Sequence, residues 1–426
     1  MAAFQLTLSN KNLRLFFIGQ GLANIGNLIN QVAVSWLAYT LTDSAIMLAI
    51  VMFSREIAAT FTSPFAGVLA DRFNKKKLLI LAGVLLMCST SLLGLMTISG
   101  WVEVSTMIFF QIIFGLISGV EIPTRQAFVN ELVVNKEHLT NAIAFNSTLF
   151  NTARIVGPAI AGILIPFIGE GFCFIAYGVM LFVITFIFIY IQYQPLPARE
   201  QAKDFSKEFW EGFSYSFQSP PIRVLLILIA IVTVFGLSYE ILLPIFADQV
   251  FDKVLKFNSN TFGYMLSAVG VGSIFGGVHL SMRKNLIGLE KVLFAGALIF
   301  GVFITLFSFT DIYWLALCLL FLAGYGRVLV FTAFNTLLQT IAEDEKRGRV
   351  LSLYIMIFMF CKTIGNLIMG FIAEHQGVNF ATGLGGVCCI FGVIFLYPQM
   401  SLISKAVSNF QQKIQEEKNI KLESSK

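Results

Sequence analysis

Charge is what this sequence has least of. Of its 426 residues, 12% are Asp, Glu, Lys or Arg and 57% are hydrophobic. A soluble chain carries roughly 25% charged residues. So few charges cannot cover a water-facing surface of this size. That excludes a soluble enzyme, a disordered scaffold and a nucleic-acid-binding module, and no nucleic-acid partner is expected. Cysteine adds little. Cys88, Cys173, Cys318, Cys361, Cys388 and Cys389 all lie in apolar runs, and none forms a C-x-x-C pair. Neither a disulfide framework nor a zinc site is expected. The three histidines, His138, His279 and His375, sit near different loops or span ends, and no catalytic triad is visible. No enzymatic activity, metal or cofactor is expected. There is no Walker loop to support direct drive by ATP. No short apolar stretch with a small-residue cleavage site opens the chain, so no removable signal peptide is expected.

Long apolar runs are what the sequence has in abundance. A bilayer core of about 30 Å takes about 20 helical residues. Runs of that size lie near 13–40, 44–70, 77–99, 104–126, 140–166, 171–193, 222–247, 259–282, 290–309, 312–338, 350–373 and 377–399. Unpaired backbone groups cannot face lipid, and the two-residue alternation of membrane barrels is missing. The expectation is an all-α integral membrane protein with twelve transmembrane helices in two six-helix bundles. The bundles are residues 1–193 and 222–400. A cytoplasmic linker, 194–221, joins them, and a charged, mobile tail, 401–426, follows. In the linker Phe205, Phe209, Phe213 and Phe217 recur every four residues, as in a helix lying on the membrane surface.

Of the 29 Lys and Arg, five lie within spans and two, Lys253 and Lys256, in loops on one side. All the others fall on the opposite side. The positive-inside rule puts both termini in the cytoplasm.

The halves echo each other. Arg154, Gly157 and Gly162 match Lys362, Gly365 and Gly370 at a constant shift of 208 residues. Internal repeats are common in secondary transporters, with the binding site between them at the midplane.

Eight ionisable residues sit within the spans: Arg55, Arg125, Arg154, Arg327 and Lys362 against Glu56, Glu121 and Glu240. Each costs about 2.5–3.5 kcal/mol at mid-helix, so together they cost roughly 20–28 kcal/mol unless paired or hydrated. Most are expected to face the interior or each other. Glu121 and Arg125, four apart, share one helix face and read as a structural pair. Arg55 and Glu56 are adjacent, point about 100° apart and are not expected to pair with each other. Glu56 and Glu240 are the candidates for carrying a proton. The candidates for lining a substrate cavity are Arg55, Arg154, Arg327 and Lys362, with Asn27, Asn30 and Gln31. The last three belong to a polar stripe on the first run that also holds Gln20 and Asn24. Packing against the fifth run is the rival reading of that stripe, and a structural bridge is the rival for Arg154. The excess of cations favours an anionic substrate. The glycine-rich stretch 270–277 mimics a dinucleotide fingerprint but reads as close helix packing.

Between the second and third runs stands Gly67-Val-Leu-Ala-Asp71-Arg72-Phe-Asn74-Lys75-Lys76-Lys77. It resembles the signature loop of the major facilitator superfamily, Gly-x-x-x-Asp-Arg-x-Gly-Arg-Arg/Lys. Asn74 replaces the usual glycine and also tolerates left-handed backbone. Gly157-Pro158-x-x-Ala161-Gly162 is similar to the antiporter signature of proton-coupled exporters, with Ala153 and Ala161 where glycines are typical. Pro123-Thr-Arg125-Gln-Ala127, Asn141-Ala142 and Asp344-Glu345-x-Arg347-Gly348-Arg349 resemble the branch holding the enterobactin exporter and macrolide efflux proteins.

The resemblance implies a monomer of the bacterial cytoplasmic (inner) membrane that moves a small molecule and protons by alternating access. It implies a cytoplasmic gate of Gly67, Asp71, Arg72, Lys76, Glu121 and Arg125, and an antiporter motif of Gly157, Pro158 and Gly162. The expected function is proton-coupled export of an amphiphilic, anionic small molecule such as a siderophore. The alternatives are macrolide or multidrug efflux and proton-coupled uptake. A non-transporting receptor fits the six-plus-six pattern less well.

Overall fold

Backbone polar groups in a bilayer must be satisfied within their own segment. A computed structural model of the chain, describing residues 11–132, 139–192, 213–252, 259–283, 287–343 and 346–424, meets this demand with helices and, among those residues, no strand. Four helices come first: α1 (Lys11–Thr42), α2 (Ala45–Arg72), α3 (Lys75–Ile98) and α4 (Val104–Leu132). The stretch Leu139–Tyr190 is broken at Gly169 into two arms, α5 and α6. α7 begins as Pro220–Ile231, passes through a π-helical turn at Val232–Gly236, resumes as Tyr239–Ile245 and ends in a second π-helical turn at Phe246–Asp252. Then follow α8 (Ser259–Ser281), α9 (Leu289–Ser308), α10 (Tyr313–Ile341), α11 (Arg347–Gln376), α12 (Val378–Leu396) and α13 (Met400–Ser424).

All twelve expected runs fall on these helices. By length and composition, ten stretches among the described residues are apolar enough to cross a membrane. The run on α1 is diluted by its polar stripe, and α5 is continuous with α6, so neither is counted separately.

Two compact units form, residues 1–200 with 241–270 and residues 201–240 with 271–426. The latter part of α7 and the start of α8 cluster with the first unit. The linker up to residue 212 lies outside the described residues. Residues 213–218 are helical, and the Phe213 and Phe217 rings lie 4.6 Å apart. The tail departs from the expectation of a mobile segment. It is helical through Ser424 and buries Ile403 and Val407, packing on α9, α10 and the start of α7.

Packing within each unit repeats the same scheme. Lipid tails are as apolar as Leu, so membrane helices associate through close van der Waals contact at small residues. Gly115 and Gly119 on α4 let α2 approach until a Cβ at Gly119 would lie 2.6 Å from the Ala59 carbonyl. In the second unit Gly272 and Gly276 on α8 do the same against the Phe321 and Tyr325 carbonyls of α10. The dinucleotide-like run is therefore a helix contact. Gly157 of α5 packs on Leu28 of α1, and Gly365 of α11 packs on Val234 and Ser238 of α7. The breaks obey the same shift. Gly169 (φ 79°) between α5 and α6 and Gly377 (φ 88°) between α11 and α12 are 208 residues apart, and both occupy backbone that favours glycine.

Asn74 does not use the left-handed freedom considered for it. Its backbone is extended, and its side chain caps α3 by accepting from the Lys77 N–H at 3.2 Å.

Candidate functional site

In the first unit, helix ends and helix middles hold different charges. At the loop before α3, Lys75 pairs with Glu131 at 3.0 Å, both side chains 14% exposed. The Lys76 ammonium donates to the carbonyls of Ile189 and Ile191, each at 2.9 Å. Those are orphan carbonyls at the end of α6, where a cation is favoured. Lys76 thus ties α3 to α6. Lys76→Met is expected to lose about 1 kcal/mol of stability, and Lys77→Met, on an exposed side chain, almost none. Equal thermal unfolding midpoints for the two would refute the cap. Glu121 and Arg125 pair at 3.1 Å along α4, as their spacing requires. Gly67, Asp71 and Arg72 lie at the end of α2 with side chains outside the described residues.

Deeper in the unit, the Arg55 guanidinium donates to Asn27 Oδ1 of α1 at 3.1 Å. Arg55 and Glu56 do not pair with each other. Both are half-buried, and among the described residues Glu56 joins no ion pair. The polar stripe of α1 splits by partner. Gln20 and Asn24 are buried and hydrogen-bond each other at 2.8 Å, Asn30 is buried against Thr90 of α3, and Gln31 is exposed. Among the described residues, Asn27 is the member of the stripe that hydrogen-bonds a charged group. Arg154 is exposed on α5, and Pro158 is buried.

The antiporter-like segment has a further role within this unit. Gly162 faces Gly263 of α8 so closely that a Cβ at Gly162 would lie 2.7 Å from the Gly263 Cα. Nearby helices add Trp36 stacked on Phe262 (centroids 6.3 Å) and the Tyr39 hydroxyl donating to the Asp248 carboxylate at 2.8 Å. The sequence carries no signal for these pairs, because residues 100 or more apart meet only through the fold.

In the second unit the site is a buried ion pair. Arg327 of α10 donates to Glu240, with side chains 8% and 33% exposed. The break in α7 positions the acid. The π-helical turn closes through the Leu237 N–H donating to the Val232 carbonyl at 3.0 Å, and the helix restarts at Tyr239. Glu240 therefore stands in a first helical turn, where a carboxylate is favoured. Such π-helical turns frequently mark functional positions. Lys362 of α11 is half-buried. His279 of α8 hydrogen-bonds the Tyr325 hydroxyl of α10, a link that its place near a span end did not suggest.

Beyond the end of α10 the Glu343 N–H donates to the Tyr215 hydroxyl at 3.3 Å, and the Lys346 ammonium lies 4.4 Å above the Tyr215 ring. Among the described residues no group of three His, Cys, Asp or Glu is placed to hold a metal.

This architecture of small-residue helix packing, repeated halves and mid-membrane charges matches known proteins. The family described as transmembrane secretion effector matches residues 4–423. The chain belongs to this family of major facilitator transporters. It is 26% identical over 387 residues to the Staphyloferrin A transporter of Staphylococcus aureus, covering 90% of this chain and 95% of that one. It is 24% identical over 404 residues to Macrolide efflux protein A of Streptococcus pyogenes, covering 93% and 98%. Among solved structures, a POT family transporter superposes with a TM-score of 0.72 at 12% identity, covering 91% of this chain and 96% of that one, a likeness of fold alone. The chain is thus a multi-pass membrane transporter of small molecules, not an enzyme.

Proposed function

We propose that the chain exports an amphiphilic, anionic small molecule such as a siderophore across a bacterial cytoplasmic membrane in exchange for protons. The observation that carries the reading is the Glu240–Arg327 pair. An acid at membrane depth, two-thirds covered and bound to a nearly buried cation, has two distinct states. Ionised, it holds Arg327; protonated, it releases it. That change alters which arrangement of α7 and α10 is favoured, as alternating access requires. Glu56 is a second proton candidate. A gradient of one pH unit supplies about 1.4 kcal/mol per proton, and the membrane potential adds about 2.3 kcal/mol per charge per 100 mV.

The substrate class draws on the Staphyloferrin A relative and on the in-membrane excess of cations. The macrolide efflux relative supports efflux of uncharged drugs as a second reading. On this reading the protein works as a monomer, with both termini in the cytoplasm; the Lys and Arg distribution supports the orientation.

Proteoliposomes loaded with a pH-sensitive dye test the coupling. Under an imposed pH gradient, a carboxylate siderophore is expected to drive proton flux in the native protein. Glu240→Gln is expected to abolish that flux. Persistence of flux in both Glu240→Gln and Glu56→Gln removes the coupling assignment. Flux driven by a macrolide but not by the siderophore selects the second reading.

A further inference from the structure

Of the arginines within the spans, Arg55 of the first unit and Arg327 of the second have their charges handled differently. Arg327 is neutralised by Glu240. Arg55 is held by Asn27, and among the described residues no carboxylate lies at ion-pair distance from it. An amide oxygen fixes a guanidinium in place without cancelling its charge. The remaining N–H groups of the fork stay suited to a planar oxyanion.

Gly115 of α4 lies against the Arg55 carbonyl, and the Tyr177 ring of α6 lies against Gly26, the neighbour of Asn27. Thus α1 and α4 both meet α2 at Arg55, and α6 packs on α1 beside Asn27. One turn away from Gly115, on the same face of α4, Gln111 is 1% exposed and its Nε2 has no hydrogen-bond partner. A buried amide donor without an acceptor is uncommon. It lies one turn along α4 from the contact with the Arg55 backbone, in the same helix packing.

We propose that Arg55, oriented by Asn27, is the anchor for the substrate's carboxylate, bound through paired charge-assisted hydrogen bonds. The inference rests on the anionic-substrate reading above and assigns it a residue. The two arginines divide the work: Arg327 answers to Glu240, and Arg55 answers to the cargo.

The test is equilibrium binding, with no proton gradient. The purified full-length protein is placed in nanodiscs of uncharged phosphatidylcholine, and its unfolding midpoint is followed against citrate, with inorganic phosphate and sodium chloride of equal ionic strength as parallel arms. Citrate is expected to raise the midpoint saturably, and phosphate less. Arg55→Gln is expected to weaken the citrate response at least tenfold, and Arg55→Lys, which keeps the charge but loses the fork, by less.

Asn27→Asp is the decisive variant. It places a carboxylate where the amide oxygen stands, neutralises Arg55 from within and leaves no cavity, so it too is expected to lose the citrate response. Unchanged citrate stabilisation in Asn27→Asp overturns the proposal, as does no citrate response in the native protein. A phosphate response exceeding that of citrate overturns the carboxylate assignment. The two readings fail separately: with citrate binding intact, pH-driven flux that is absent from the native protein, or that persists in both acid variants, removes the coupling scheme only.

Discussion

Replacing Glu240 with Gln is expected to destabilise the protein by about 3 kcal/mol. Breaking a buried pair by removing one partner typically costs about 3–5 kcal/mol, because the other charge stays buried and uncompensated. The lower end applies, since Gln still offers an acceptor and the Glu240 side chain is 33% exposed. Arg327 is the group that suffers, at 8% exposure on α10. The double variant Glu240→Gln with Arg327→Met removes both charges and is expected to recover most of the loss, because apolar replacement of a whole buried pair is often neutral or favourable. Thermal unfolding in lipid nanodiscs reads both. If the single variant unfolds like the native protein, the pair is not electrostatically isolated and cannot act as a two-state element.

A Val at position 162 is expected to have an effect of similar size by a different route. The atoms facing Gly162 are backbone: the Gly263 Cα would lie 2.7 Å from the first added carbon. Backbone cannot rotate aside as a side chain does, so α5 and the start of α8 must part. Overpacking costs about 1–3 kcal/mol where neighbours yield, and more where they do not. Parting these segments also strains the Trp36–Phe262 stack and the Tyr39–Asp248 hydrogen bond, both within the same unit. Gly162→Val is therefore expected to reduce transport in proteoliposomes at least tenfold, and Gly162→Ala to fall in between. Native transport and stability in the Val variant would show that this approach is not made in the working protein.

The fold was largely legible because its signals are local. Length and apolarity mark the helices, and the shift of 208 residues predicts the shared packing of Gly157 on α1 and Gly365 on α7. The Glu121–Arg125 pair follows from spacing alone. The failures involve partners distant in sequence or departures from regular helix. The cap that Lys76 provides on α6 is invisible in the sequence, because its partners are carbonyls that any sequence would supply. The stripe on α1 reads as one wet face, yet Gln20 and Asn24 satisfy each other. Arg55 was singled out by its charge, but its hold on Asn27 depends on the angle between α1 and α2, which no pattern encodes. The tail reads as mobile because its charges are plentiful, while the two residues that dock it, Ile403 and Val407, are few.

The π-helical turn at Val232–Gly236 has a consequence for heredity as well as shape. Such a turn accommodates one residue beyond the regular α-helical count, so everything after it is rotated by about 100° relative to an uninterrupted helix. Glu240 faces Arg327 only in that reading frame. Deleting a single residue such as Val234 would remove the first of the two π-helical turns, leave every polar side chain of α7 in place and aim the carboxylate elsewhere. Conserving this protein's work therefore means conserving an apparent surplus residue that a comparison of side-chain chemistry alone would pass over.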